Sequence, residues 1–287
     1  MPRFSVLVMA VLLALPASAQ LQYGFKVLDR KPQSRDNFVQ GLEIVGNHLY
    51  LSSGLYGQSR LRRYDFDSGE LLLERPLDPR LFAEGVTVLN GKVYQLTWRA
   101  GIGLIYQQAD LTPQQLFRVP GEGWGITNNG KQLIYSDGSH LLHFVDPATM
   151  TLERSLAVRE YDVPLPFLNE LEWVDGRVWA NVWRSNRLVI IDPDSGEVEA
   201  SVNLEGLLPL EEYQEGTDVL NGIAHDRRDG GIWVTGKRWP WLYRIERVPL
   251  REDQPASSRP QPSKPPPLLA RPPTTSAITE EPGPESR

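Results

Sequence analysis

The run Gly85-Val86-Thr87-Val88-Leu89-Asn90-Gly91-Lys92-Val93-Tyr94 decides the fold. Two apolar, β-branched stretches flank an Asn-Gly pair, the strongest short-range signal of a tight β-hairpin. The pattern recurs. Its five openings are Gly41-Leu42-Glu43-Ile44-Val45, Gly85-Val86-Thr87-Val88-Leu89, Gly125-Ile126-Thr127, Glu170-Leu171-Glu172-Trp173-Val174 and Gly222-Ile223-Ala224. They start 44, 40, 45 and 52 residues apart. Each runs into a turn at Gly46-Asn47, Asn90-Gly91, Asn129-Gly130, Asp175-Gly176 or Asp229-Gly230. A second strand follows, carrying Tyr50, Tyr94, Tyr135, Trp179 or Trp233. Third and fourth strands complete the unit, as in Leu188-Val189-Ile190-Ile191 and Glu197 to Val202.

Four short antiparallel strands repeated about every 45 residues predict an all-β protein, a five-bladed β-propeller with four-stranded blades. The competing reading is a β-sandwich with coincidental spacing. The fifth repeat stops after its third strand, near Leu242 to Ile245, while an unassigned strand at Tyr23 to Leu28 precedes the first. The N-terminal strand is therefore expected to supply the outer strand of the last blade and cover its edge.

The flanks read differently. Residues 1–19 have the form of a secretory signal: Arg3, an apolar run from Val6 to Leu15, and the small-residue site Ala17-Ser18-Ala19. That predicts export to the periplasm or medium, and no membrane contact after cleavage. Residues 249–287 hold eleven of the 24 prolines, a composition that cannot bury enough apolar surface to offset ordering. A folded domain over 20–248 with a Pro-rich disordered tail follows. The net charge of -6 argues against nucleic acid as a partner, and the absence of cysteine excludes disulfides and thiolate chemistry.

The first strand of each propeller blade lines the central channel, so the residue before each opening sits at one mouth. Those residues are Gln40, Glu84, Trp124, Asn169 and Asn221. The position four residues past the aromatic of each second strand returns to the same face: Gly54, Trp98, Ser139, Trp183 and Lys237. One mouth thus gathers a carboxylate, an ammonium, amides and three indoles, the make-up of a binding pocket with shifted pKa values. Trp173, Trp179 and Trp233 are expected in cores between blades, and Glu43 and Glu172 deeper in the channel.

The motifs Phe38-Val39-Gln40-Gly41-Leu42, Phe82-Ala83-Glu84-Gly85, Gln95-Leu96-Thr97-Trp98, Gly121-Glu122-Gly123-Trp124-Gly125, Leu168-Asn169-Glu170-Leu171-Glu172-Trp173, Ala180-Asn181-Val182-Trp183, Leu220-Asn221-Gly222 and Thr235-Gly236-Lys237-Arg238-Trp239 resemble the plant-type glutaminyl cyclases, five-bladed propellers also found in bacteria. The resemblance covers about Tyr23 to Ile245. It implies cyclisation of the N-terminal glutamine of peptides or proteins to pyroglutamate with release of ammonia. It implies Glu84, Asn169 and Lys237 as the catalytic set. Trp98, Trp124 and Trp183 would wall the substrate pocket beside Phe38, Gln40 and Phe82; the repeat position alone adds Asn221 as a substrate-binding residue. Glu84 would take a proton from the α-amine and pass it to the leaving nitrogen, while Lys237 and Asn169 donate to the oxyanion. The scheme requires no metal or cofactor, and a monomer is expected. Two other readings stay open: a lactonase-like hydrolase with a cation held by Glu84, Asn169 and Asn221, and a non-catalytic binding propeller.

Overall fold

The computed structural model describes residues 20–250. The expected signal at 1–19 and the tail beyond residue 250 lie outside the described residues.

The described chain is all-β apart from one short 3-10 turn, Leu210–Glu212. Its first strand is β1 (Leu21–Pro32). Unit one follows as β2 (Val39–Val45), β3 (His48–Ser53), β4 (Arg60–Asp65) and β5 (Leu71–Pro76). Unit two is β6 (Ala83–Leu89), β7 (Lys92–Thr97), β8 (Ile102–Gln107) and β9 (Pro113–Arg118). Unit three is β10 (Ile126–Asn128), β11 (Leu133–Ser136), β12 (Leu141–Val145) and β13 (Leu152–Ala157). A small hairpin, β14 (Arg159–Glu160) with β15 (Val163–Pro164), leads to unit four. That unit is β16 (Leu168–Val174), β17 (Arg177–Val182), β18 (Arg187–Ile191) and β19 (Val198–Asn203). Unit five has three strands of its own, β20 (Leu220–Asp226), β21 (Gly231–Gly236) and β22 (Trp241–Pro249).

Within each unit consecutive strands pair antiparallel. The Asn90-Gly91 and Asp175-Gly176 turns have positive φ at both residues, the geometry whose twist suits a two-residue hairpin. β1 pairs antiparallel with β22 from Tyr23↔Pro249 to Pro32↔Trp241, so the fourth strand of unit five comes from the beginning of the chain, as expected. β1 also pairs parallel with β19 over Leu21↔Ala200 to Tyr23↔Val202, which the sequence did not predict; it merges units four and five into one eight-stranded sheet. The strands also run longer than predicted, to Pro32 at one end and Pro249 at the other.

Among the described residues five apolar cores hold the units together. Tyr50 and Leu61 meet Val86 and Val93 between units one and two. Tyr94 and Leu96 meet Ile126 and Leu133 between two and three. Ile134 and Phe144 meet Leu171 and Val178 between three and four. Trp179 and Leu188 meet Ile223 and Val234 between four and five. The fifth core sets Trp233 and Leu242 of unit five against Leu42 and Leu51 of unit one. Trp179 and Trp233 are buried there as expected, and Trp173 packs partly buried against the core of units three and four.

The opening glycines answer to this packing. A Cβ on Gly41 would sit 2.4 Å from the backbone nitrogen of Val86, and one on Gly125 would sit 2.0 Å from the carbonyl of Asn169. First strands of neighbouring units therefore approach backbone to backbone, closer than any side chain allows.

Candidate active site

The sequence pattern predicted that the residues before the five openings share one mouth, and a backbone feature aims them there. β2, β6, β16 and β20 each break register against the second strand of their unit at that point: between Val39 and Gly41, Ala83 and Val86, Leu168 and Leu171, Leu220 and Ile223. Such bulges re-aim a side chain out of the pleat. Gln40, Glu84, Asn169 and Asn221 are the residues re-aimed, and all four are buried.

The second predicted position is anchored just as regularly. Gly54, Trp98, Trp183 and Lys237 each donate their backbone N–H, at 2.9–3.0 Å, to the carbonyl of Phe38, Phe82, Phe167 or Val219. The acceptors all lie two residues before the bulged residue. Unit three departs from this. Its second strand stops at Ser136 and the chain turns at Gly138, so Ser139 does not take the expected place. The Ser139 hydroxyl instead bonds Asp137 at 2.6 Å, and a Cβ on Gly138 would sit 2.5 Å from the Trp124 ring. The sequence alignment is thus off at Ser139, because the indole takes the space that the strand occupies elsewhere.

The polar side chains form a directed chain. Asn221 Nδ2 donates to Gln40 Oε1 at 3.2 Å and to the Val39 carbonyl at 3.0 Å. That turns the Gln40 amide so that its Nε2 donates to Glu84 Oε1 at 3.1 Å. Asn221 therefore orients Gln40 through its NH2, while its own buried Oδ1 has no partner among the described residues. Burial pushes the Glu84 carboxyl well above the usual carboxylate range; Lys237 pulls it back and the charge of Glu122 pushes it further up. Lys237 is itself buried and makes no direct ion pair with Glu84. Its desolvated ammonium titrates below the ordinary lysine value, against the opposing pull of Glu84 and Asp218, and lies 4.9 Å from the Phe38 ring centre. Asn169 is buried and its Oδ1 has no partner among the described residues.

Aromatic rings form the walls. Phe82 packs edge-on against Trp98 at 5.6 Å and against Phe38 at 6.3 Å. Trp124 in turn stands edge-on to Trp183 at 5.3 Å. The predicted residues Phe38, Gln40, Phe82, Glu84, Trp98, Trp124, Asn169, Trp183, Asn221 and Lys237 are thus brought to one end of the five units.

Glu122 was quoted in a motif but given no role by the sequence, and it ties the walls together. Its Oε2 accepts both the Trp98 indole N–H at 2.8 Å and the Trp124 indole N–H at 3.0 Å. Arg99 donates to Oε1 at 2.9 Å and stacks on Trp98 at 3.8 Å. Burial alone would raise this carboxyl, but the donors from Trp124, Arg99 and Trp98 hold it below the ordinary value. The signal was available: Glu122 stands two residues before Trp124, the repeat equivalent of Phe38 and Phe82.

Below the mouth three glutamates staple first strands across units. Glu170 accepts from the Leu42 and Ile223 N–H groups at 3.1 and 2.8 Å. Glu43 accepts from the Val88 N–H at 2.9 Å and from the Thr87 hydroxyl. Glu172 accepts from the His225 N–H at 3.0 Å. The deep placement expected of Glu43 and Glu172 holds; Glu170 was missed. A separate cavity of about 300 Å³, lined by Leu28, Asp175, Trp179 and Arg244 among others, contains none of the predicted site residues.

A family model described as glutamine cyclotransferase matches residues 4–247. The chain belongs to the glutamine cyclotransferase family. A glutaminyl-peptide cyclotransferase of Arabidopsis thaliana is 37% identical over 225 residues, covering 77% of this chain and 70% of that protein. A crystal structure of Myxococcus xanthus glutaminyl cyclase superposes with a TM-score of 0.76 at 29% identity, covering 81% of this chain and all of that one. The family match spans all five units, and the bulged residues and their aromatic walls fall inside it.

Proposed function

We propose that this chain is a glutaminyl-peptide cyclotransferase: it converts the N-terminal glutamine of peptides or proteins to pyroglutamate and releases ammonia at one mouth of a five-bladed β-propeller. The propeller reading rests on the four-stranded units, on β1 completing unit five, and on the core between unit five and unit one. The catalytic reading rests above all on Glu84, a buried carboxyl with one oxygen tied to Gln40, set near Lys237 among aromatic walls.

The α-amine of the substrate attacks the side-chain amide carbon of the same residue. A C–N bond to the amine forms and the C–NH2 bond breaks. A snug indole pocket folds the glutamine into the geometry for attack, which is where the pocket contributes most. Gln40 occupies Glu84 Oε1, so Oε2 is the oxygen left for the substrate. It accepts the proton that the amine loses and returns it to the departing nitrogen, which leaves as ammonia. A carboxyl raised by burial is matched to both halves of that task, because its affinity for the proton lies nearer that of the groups it serves. Lys237 offers positive charge to the developing oxyanion, an effect typically worth about 10²–10³-fold. The Asn169 NH2 is the second donor to the oxyanion, and its unpartnered Oδ1 accepts a substrate N–H and holds the amide in place.

A cation between Glu84, Asn169 and Asn221, as in the hydrolase reading, fits poorly. The buried Lys237 ammonium acts on the Glu84 carboxyl, and its charge opposes a cation there. Export rests on the leader-like residues 1–19. Among the described residues no helix is long and apolar enough to cross a membrane. Incubating the purified protein with a Gln-initiated peptide and measuring ammonia and the mass of the product tests the proposal; no ammonia above the spontaneous rate overturns it.

A further inference from the structure

Two aromatic side chains outside the pocket continue its walls to the surface. Phe167 occupies the same place in unit four as Phe38 and Phe82 do in units one and two: its carbonyl accepts the N–H of Trp183 at 2.9 Å, as theirs accept Gly54 and Trp98. Its ring packs on Trp183 at 6.1 Å, and Trp183 packs on Trp124. Unlike its equivalents, Phe167 is 49% exposed. Tyr56 does the same on the other side. It packs edge-on against Phe82 at 5.3 Å and is 53% exposed.

One sits on unusual backbone and the other directly after it. Phe167 has φ 68, a conformation that is a true outlier for a bulky residue. It is pinned there by its own N–H to the Gly138 carbonyl at 3.0 Å. Leu55, just before Tyr56, has φ 99, and its carbonyl accepts from the Ser59 hydroxyl at 2.8 Å and from the Gln58 N–H at 3.0 Å. Strained backbone that turns a large apolar ring to solvent costs stability twice, and persists at binding sites.

We propose that Tyr56 and Phe167 form a second subsite that takes the side chain following the N-terminal glutamine, and that it selects for an apolar or aromatic residue there. The inference rests on the cyclotransferase reading. The occupant follows from continuity: one ladder runs Phe38, Phe82, Tyr56 and the other Trp124, Trp183, Phe167, both from the buried end of the site outward. A glutamine side chain held among the indoles leaves its own carbonyl, and the residue joined to it, at the rim between the two ladders. An apolar side chain there packs on whichever of the two exposed rings it turns toward.

The test compares kcat/KM for two tripeptide amides, Gln-Phe-Ala and Gln-Gly-Ala. The parent protein is expected to prefer the first by about 10-fold or more, the scale of one apolar side chain filling a pocket. Tyr56→Ala and Phe167→Ala should each reduce that preference several-fold, mainly through KM, and the double variant should lose it. Phe167→Gly guards against misfolding, because φ 68 suits glycine and the ring alone is removed. Equal kcat/KM for the two peptides in the parent, or an unchanged preference in the double variant, overturns the subsite while leaving the cyclotransferase intact. Failure to release ammonia from either peptide overturns the reading beneath it and the subsite with it.

Discussion

Gln40 Nε2 donates to Glu84 Oε1 at 3.1 Å, so the bulged residues of two neighbouring units meet head to head. The amide fixes the carboxyl and leaves one oxygen free. Glu84→Gln keeps the shape and an acceptor for Gln40 but removes the proton carrier. Turnover is expected to fall at least about 10²-fold. Melting should hold or rise, since a buried ionisable group is replaced by a neutral one. Parent-like rates in this variant would remove Glu84 from the mechanism.

Lys237→Met keeps the apolar stem against Phe38 and removes the charge. A larger fall in kcat than rise in KM is expected if the ammonium acts on the oxyanion. The pH profile gives a second reading. Lys237 lowers the Glu84 carboxyl, so its loss should move the acidic limb of kcat/KM to higher pH. A drop in melting temperature with a parent-like profile would mean a purely structural ammonium.

Glu122 supplies one oxygen to two indoles, and its two variants should separate. Glu122→Gln keeps an oxygen that accepts both N–H groups and is expected to retain most activity. Its lost charge should shift the acidic limb to lower pH, because Glu122 raises Glu84. Glu122→Ala releases both walls and should cost about 10-fold or more in kcat/KM, with altered tryptophan fluorescence. Equal kinetics in the two variants would deny the clamp.

The channel carries its own pH signature. Glu43 titrates near pH about 7, raised by burial despite the donors from Thr87 and Val88. A folded-state value above the unfolded one means the folded protein binds more protons between the two. The stabilisation is full below the unfolded value near 4.5 and fades as pH rises through about 7. Glu43→Gln should escape that loss. Its melting temperature, relative to the parent, should climb by a few degrees between pH 5 and pH 8. A constant difference across that range would show that Glu43 does not titrate there.

Deleting residues 20–29 removes most of β1 and should unfold units four and five, since it pairs with both β19 and β22. Ending the chain after Leu250 should leave melting and activity nearly unchanged. The cut belongs there and not at residue 248, because Pro249 pairs with Tyr23 and the Leu250 N–H donates to the Gln22 carbonyl at 2.9 Å. Loss of folding on removing 251–287 would refute that boundary.

Much of this was legible because the repeat imposes equivalence. Aligning Gly41, Gly85 and Gly125 located Gln40, Glu84 and Trp124 without any structure. What hairpin periodicity cannot express is a departure from itself. The bulges that aim Asn169 and Asn221 add a residue without changing the apolar pattern. The shortened β11 misplaces Ser139 by the same token. Glu122 escaped because its role is a hydrogen bond to two indoles, and Glu170 because its partners are the backbone of strands 128 and 53 residues away. The parallel contact of β1 with β19 was invisible for a related reason, as one strand carries both edges.

That double contact of β1 has a consequence for how the molecule is made. Its first strand leaves the ribosome about two hundred residues before β22, the partner it needs along its whole length. Units one to three can form as they emerge, but the sheet shared by units four and five waits for the end of synthesis. Such long-range pairing closes slowly. A chain that must stay open until its last strand arrives is a good passenger for any route that moves unfolded polypeptide, and a ready target for proteases and chaperones until closure.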